Sequence, residues 1–125
     1  MGRPVRVLIA DDQRSARQGL KALLSQFPDV EVVGDAADGQ AALEQAQRHN
    51  PDVILLDVHM PRMDGLEAAR RIKNGWPQTR VVVLTMHANY REEALAAGAD
   101  VFLVKGCASE DILRAVTDAH PPNGF

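Results

Sequence analysis

Five short apolar runs, four of which stop abruptly at a charged or hydroxyl side chain, constrain this chain more than any other feature. Val53-Ile54-Leu55-Leu56 is the plainest: it runs unbroken into Asp57 and then into the turn-forming stretch His59-Met60-Pro61-Arg62-Met63-Asp64-Gly65. An uninterrupted apolar run of this length, bounded by a turn signal, reads as a strand buried on both faces of a parallel sheet. Val5 to Ala10 runs into Asp11-Asp12, Val81 to Leu84 into Thr85, and Val101 to Val104 into Lys105. Val30 to Ala36 supplies the fifth run.

Amphipathic stretches separate the runs. Ala16, Leu20, Leu23, Leu24 and Phe27 keep a helical spacing up to Pro28. Asp38-Gly39 opens a second helix carrying Ala42, Leu43 and Ala46, closed by Asn50-Pro51. Asp64 suits the N-cap of a third, presenting Leu66, Ala69, Ile72 and Trp76, with Pro77 as its stop. A shorter fourth helix is expected over about 89–97, with Gly98 in the left-handed position after it. Ser109, ahead of Glu110 and Asp111, is expected to cap a fifth helix bearing Ile112, Leu113 and Val116. Strict alternation of this kind argues for an α/β domain: a five-stranded parallel sheet with helices on both faces and right-handed crossovers.

Composition bounds the class. At 125 residues, 46% apolar and 25% charged, the chain is sized for one soluble globular domain. It is expected to occupy residues 1–120, with 121–125 (Pro-Pro-Asn-Gly-Phe) as a tail or a cut linker. A formal charge of −3 gives no footprint for nucleic acid, and no basic tract suggests a membrane surface. The N-terminus is too polar for a signal peptide, and no apolar run approaches membrane-spanning length. Cys107 stands alone, which favours a reducing, cytoplasmic setting, and it reads as an inert small residue before the last helix.

The strand ends carry the chemistry. In an open α/β sheet, residues just past the carboxyl ends of the strands line the crevice where ligands bind. Asp11, Asp12, Asp57, Thr85 and Lys105 all fall there. Two unit charges about 4 Å apart repel by roughly 4 kcal/mol at an effective dielectric of 20, so three bare carboxylates do not gather freely. Either one keeps its proton or a cation neutralises the set. Oxygen donors with little nitrogen or sulfur nearby suit a hard divalent ion. Mg²⁺ leads, because it accepts a few carboxylates and keeps waters that a phosphate oxygen can replace. Lys105 and Thr85 then read as a clamp for a tetrahedral oxyanion such as a phosphoryl group. Asp57, at the centre, reads as the nucleophile that receives it as an acyl phosphate. Singly, each residue has a plainer reading as a turn aspartate, a solvated lysine or a locally bonded threonine. Their joint placement on alternating strands is what favours a site.

Four segments in order, Ala10-Asp11-Asp12, Leu56 to Gly65, Leu84-Thr85 and Gly98 to Lys105, make the chain resemble the receiver domain of two-component response regulators over nearly its whole length. The resemblance implies a flavodoxin-like sheet of order 2-1-3-4-5. It implies Asp57 as phosphoacceptor, Asp11 and Asp12 as the metal-binding acidic pair, and the backbone carbonyl of His59 as a further Mg²⁺ ligand. Thr85 and Lys105 would contact the phosphoryl oxygens. Phe102 falls at the family's switch-aromatic position, although the residues alone read it equally as a core aromatic. The implied phosphoryl donor is a sensor histidine kinase.

Thr85-Met86-His87 before a short acidic helix, and a lysine without a following proline, are similar to the NarL/FixJ-type subfamily. Its members usually join the receiver to a helix-turn-helix domain. DNA and transcription would then be reached only through an output domain outside these residues. Phosphorylation would bias a two-state equilibrium. Either the face of the fourth helix, fifth strand and fifth helix, or that of the first and fifth helices, would then serve a homodimer.

Two departures from the family bear on the site. Members commonly carry proline after the lysine, often in cis; here Gly106 follows, and a cis bond without proline costs about 2.5–4 kcal/mol. The geometry of this loop is therefore open. Met86 stands where many relatives carry a smaller residue and would narrow access to the phosphoryl site. His59 and His87 occupy positions the family varies to tune phosphate lifetime; with His49 and His120 elsewhere, no metal-ligand spacing joins them. Two other functions stay open. An Mg²⁺-dependent phosphohydrolase would also use Asp57, but His59 stands where an aspartyl phosphatase needs its second Asp, so slow self-dephosphorylation is expected rather than enzymatic turnover. The other is a receiver-like binding module that is never phosphorylated, against which the complete set of acids, Thr85 and Lys105 argues.

Overall fold

The computed structural model describes residues 2–118; His120 and the expected tail at 121–125 lie outside them. Strands β1 (Val5–Ala10), β2 (Val30–Ala36), β3 (Val53–Leu56), β4 (Arg80–Thr85) and β5 (Val101–Val104) alternate with helices α1 (Arg14–Leu24), α2 (Gly39–His49), α3 (Gly65–Gly75), α4 (Arg91–Ala96) and α5 (Ser109–Thr117). Every pairing is parallel and the order is β2-β1-β3-β4-β5, the flavodoxin-like arrangement expected.

Because successive strand residues face opposite ways, each strand feeds two cores. Leu8, Ile54, Leu56, Val81, Val83 and Phe102 pack on one side with apolar residues of α2, α3 and α4. Val7, Ile9, Val53, Leu55, Val82 and Leu84 pack on the other with α1 and α5. Helices on both faces explain why β3 is apolar at every position instead of alternating. Each fully buried Val, Leu or Ile contributes about 1.5–3 kcal/mol. Stability therefore concentrates in the middle of the sheet, and its carboxyl edge is left to carry polar groups.

One irregularity was not legible beforehand. β1 pairs Val7 with Val32 but Leu8 with Gly34, so Val33 is an extra residue in β2. Val30 and Val32 face the α1–α5 layer, and without the bulge Ala36 would face it too; instead Ala36 lies in the opposite core. A one-residue slip flips every later side chain. Here it also brings Asp35 to α1, where Arg17 and Lys21 pair with it at 3.2 and 3.1 Å.

Helix ends follow local chemistry. Asp38 and Asp64 cap α2 and α3 by accepting from the Ala41 and Glu67 N–H groups, and Asn50 ends α2 at φ +47°. α1 stops at Leu24, short of the expected Phe27, because Gln26 and Phe27 donate to the Leu23 and Leu24 carbonyls in a tightened turn before Pro28. Trp76 sits at the C-cap of α3 and packs partly on the core. Ser109 is not the cap of α5: Ala108 occupies that position with no side-chain cap, and Ser109 is already helical. Nor is the fourth helix continuous over 89–97. A single 3₁₀ turn, Ala88–Tyr90, precedes α4, and neither has a side-chain N-cap to organise a full first turn.

The far end of α4 is clasped more firmly. Gly98, at φ +105°, closes a Schellman motif in which the Ala99 and Gly98 N–H groups donate to the Ala94 and Leu95 carbonyls. Beneath it, Lys73 Nζ donates to the Pro77 and Thr79 carbonyls and to Asp100 Oδ2, each at 3.0–3.1 Å. The same Asp100 oxygen accepts the Val81 N–H at 2.8 Å.

Candidate functional site

The carboxyl edge of the sheet brings Asp11, Asp12 and Asp57 together: each can offer an oxygen, all within 4.8 Å of one another. Backbone ladders set their places. Asp11 N–H donates to the Ala36 carbonyl and Asp57 N–H to the Ala10 carbonyl, so both residues extend the sheet by one step. Asp11 and Asp57 are buried, and Asp12 is exposed. One oxygen of each buried acid is bonded locally, Asp11 Oδ1 to the Gln13 N–H at 2.9 Å and Asp57 Oδ1 to the Val58 N–H at 2.7 Å. The other oxygens converge on Lys105, whose Nζ donates to Asp11 Oδ2 at 2.7 Å and Asp57 Oδ2 at 3.1 Å. Burial pulls the ammonium's pKa down. The hydrogen bonds and charges of Asp11 and Asp57 outweigh it and hold the group above the usual lysine value.

Asp12, Asp57, His59, Thr85, His87 and Lys105 line a cleft of about 420 Å³. Thr85 is fully buried, and its hydroxyl is the one buried side-chain polar atom without a hydrogen-bond partner among the described residues. Such an orphan costs about 1–3 kcal/mol and calls for a reason. Met86 also lines the cleft, at its open side, with 68% of its surface exposed. His59 and His87 meet edge to face at 5.0 Å, and Tyr90 joins both, at 5.2 and 6.2 Å. Phe102 is buried in the core with Ala94 of α4 and Ala97 at that helix's C-cap. No cis peptide occurs among the described residues; Gly106 sits at φ +96°, which proline cannot adopt. Cys107 is half-buried, and burial followed by the Asp111 charge pushes its thiol up, in keeping with an unreactive residue.

A larger cleft, about 840 Å³, opens at the amino edge of the sheet around Arg3, Arg6 and Trp76. Its arginines are engaged, Arg3 with Asp52 and Arg6 with the His49 and Asn50 carbonyls, and none of the reacting groups above lines it.

Residues 7–117 match the family model described as the response regulator receiver domain. The chain belongs to this family. The nitrate/nitrite response regulator NarL of Escherichia coli K12 is 40% identical over 119 residues, covering 93% of this chain and 55% of that protein. The response regulator VraR of Staphylococcus aureus Mu3 is 40% identical over 114 residues, covering 90% and 54%. This receiver thus spans about half the length of the curated relatives it matches. Among solved structures, the signal receiver domain of NarL from Mycobacterium tuberculosis superposes with a TM-score of 0.90 at 40% identity, covering 97% of this chain and 100% of that one. A Borrelia burgdorferi complex of CheX, CheY, BeF₃⁻ and Mg²⁺ matches with a TM-score of 0.86 at 27% identity, covering 97% and 92%. Receiver domains bind Mg²⁺ at an acidic pocket, and the all-oxygen donor set of this receiver suits that ion. Among the described residues no helix is long and apolar enough to cross a membrane.

Supporting contacts around the cluster went unread in the sequence. Arg17 donates from Nη1 to the Asp11 carbonyl at 2.8 Å while pairing with Asp35, tying the acidic turn to α1 and the bulged β2. Only the bulge register explains that meeting, and it has no sequence signature. Asp38 accepts from Arg62 as well as from Ala41. The Ala41 N–H, more than Arg62, holds its carboxyl below the usual aspartate range despite burial. A depressed folded-state pKa contributes stability that is present above the unfolded value, about pH 4, and lost as pH falls through the folded one. The melting-temperature gap between wild type and Asp38→Asn is therefore expected to be open at neutral pH and to close on acidification below about pH 4. A gap that persists in strong acid would assign it to shape rather than charge.

Proposed function

We propose that this receiver takes a phosphoryl group onto Asp57 from the phosphohistidine of a sensor histidine kinase in an Mg²⁺-dependent reaction. The observation that carries the reading is Lys105, held between Asp11 and Asp57 in the same cleft as the unpartnered Thr85 hydroxyl. An Asp57 oxygen attacks phosphorus as the phosphorus–nitrogen bond breaks. Lys105 can follow the transferred group and bond one of its oxygens, and Thr85 can donate to another. The carboxylates of Asp11, Asp12 and Asp57 with the His59 backbone carbonyl would hold Mg²⁺, which supplies neutralisation of phosphoryl charge when bound.

Once Thr85 turns toward phosphate, the space it leaves favours one packing of Phe102, so that residue serves as the switch aromatic. His59, Met86 and His87 stand over the cleft and set how readily water reaches the acyl phosphate. Slow self-dephosphorylation follows, with no strong base in place to make it an enzymatic turnover. In the cytoplasm the phosphorylated state would act through homodimerisation and, in the manner of NarL-type regulators, on DNA through an output domain.

Intact mass after incubation with a small acyl-phosphate donor tests this. One added phosphoryl group is expected with Mg²⁺, and none with a chelator or in Asp57→Asn. Phosphate release without an adduct would favour a phosphohydrolase. No adduct and no release would favour an unphosphorylated binding module.

A further inference from the structure

The loop after Asp57 is held in a strained shape by a pair that touches neither the phosphoacceptor nor its neighbouring acids. Met63 N–H donates to the Pro61 carbonyl at 2.7 Å around Arg62, whose φ is +68°. A three-residue turn with positive φ at its centre is the less favourable kind, and a long side chain there is unusual. Arg62 is restrained from outside: its Nε and Nη2 both reach Asp38 Oδ2 at 2.9 Å. Asp38 is buried and is itself fixed as the N-cap of α2. Beside it, the Gly39 N–H donates to the Met63 carbonyl at 3.1 Å, and a Cβ at Gly39 would lie 2.1 Å from that oxygen.

The base of the loop is closed as well, by the Gly65 N–H on the Val58 carbonyl at 2.8 Å. Between base and pin stand His59, Met60 and Pro61. Met60 is buried in the core, and the ring of Pro61 fixes its φ. The backbone of His59 is thus left with little freedom so long as the pin holds. Glycine at position 62 would accept the turn without strain but would release Asp38. Strain of this kind persists only where the surroundings over-determine it, and it gathers at functional sites.

We infer that the Asp38–Arg62 pair is a positioning brace for metal binding: by holding the turn at Arg62 it fixes the loop that offers the His59 carbonyl to a cation on Asp11, Asp12 and Asp57. The inference rests on the Mg²⁺ reading above. It places two positioning residues on the β2–α2 and β3–α3 loops, outside the set of groups that touch metal or phosphate. Groups that orient a ligand from behind typically change metal affinity about 10–100-fold when removed.

Calorimetric titration of Mg²⁺ into the 125-residue chain without phosphodonor tests it, alongside thermal melting in chelator. Asp38→Asn keeps an N-cap oxygen for α2, and Arg62→Gly leaves the turn sterically accessible but no longer held by Asp38. Each is expected to bind Mg²⁺ about tenfold more weakly than wild type, at the low end for such residues. The double variant should be little weaker than either alone, because both remove one brace. Unchanged Mg²⁺ affinity in both single variants, whatever their melting temperatures, would overturn the brace and leave the pair as a structural contact. No Mg²⁺ binding by wild type would overturn the underlying site reading, and the brace with it.

Discussion

Lys105→Met is expected to lower the stability of the metal-free chain by about 3 kcal/mol and to make that stability depend strongly on Mg²⁺. The ammonium is shared by two carboxylates whose side chains are only 2% and 9% exposed. Methionine keeps the apolar stem and removes the charge. Asp11 and Asp57 would then face each other without a cation, a like-charge contact in a buried setting. Breaking a buried pair from one side typically costs about 3–5 kcal/mol. The lower end applies because the lysine side chain itself is 19% exposed. A ligand that binds only the folded state stabilises it by mass action, so saturating Mg²⁺ should recover most of the loss. Urea unfolding with and without Mg²⁺ measures both parts. A loss under about 1 kcal/mol in chelator would show that the resting site is neutralised by something other than Lys105.

Gly65→Ala should be at least as damaging, for a purely steric reason. A Cβ there would lie 1.9 Å from the Asp57 carbonyl oxygen and 2.9 Å from the Val58 Cα. Both obstacles are backbone, so no side chain can rotate aside, and α3 would have to retreat from the end of β3. A loss of about 3–5 kcal/mol is expected, in the range of severe single substitutions. Phosphoryl labelling of Asp57 should fall with it, because the shifted carbonyl belongs to the nucleophile. Gly19→Ala supplies the contrast. It lies inside α1 with nothing within 4 Å of its Cβ, and should stabilise by up to about 1 kcal/mol. Equal effects at the two glycines would show that the close approach at Gly65 is readily relaxed.

The sheet and its reacting edge were legible because both depend on short-range pattern. Apolar runs of strand length and the helical spacing between them gave the element order, and the position of Asp57 after Leu56 gave the crevice. What stayed hidden depends on contacts between segments far apart in the chain. The bridge from Lys105 to Asp11 joins residues 94 apart, and that from Arg62 to Asp38 joins residues 24 apart. Neither spacing is a local signal. The bulge at Val33 changes which face Ala36 takes without any residue that announces it. Ser109 misled for the opposite reason: its propensity for a cap is real, but the chain enters α5 one residue earlier. The meeting of His59, His87 and Tyr90 needed the 3₁₀ turn before α4, where an uninterrupted helix was expected.

The clasp at Gly98 gives α4 a fulcrum. Lys73, Asp100 and the Schellman bonds hold the C-terminal end of the helix to β4 and α3. Its leading end is held by bonds within its own turn, the Tyr90 N–H on the His87 carbonyl and the Arg91 N–H on the Ala88 carbonyl, and by the partly buried Tyr90 ring. In the switch proposed above, a displacement that starts at Thr85 and passes through His87 would reach that leading end first. At six residues α4 is under two turns long, and in that proposed switch it would move as one short lever. Movement of the strand end by a fraction of an ångström would be read out as a swing of the exposed α4 surface, with the pivot staying still.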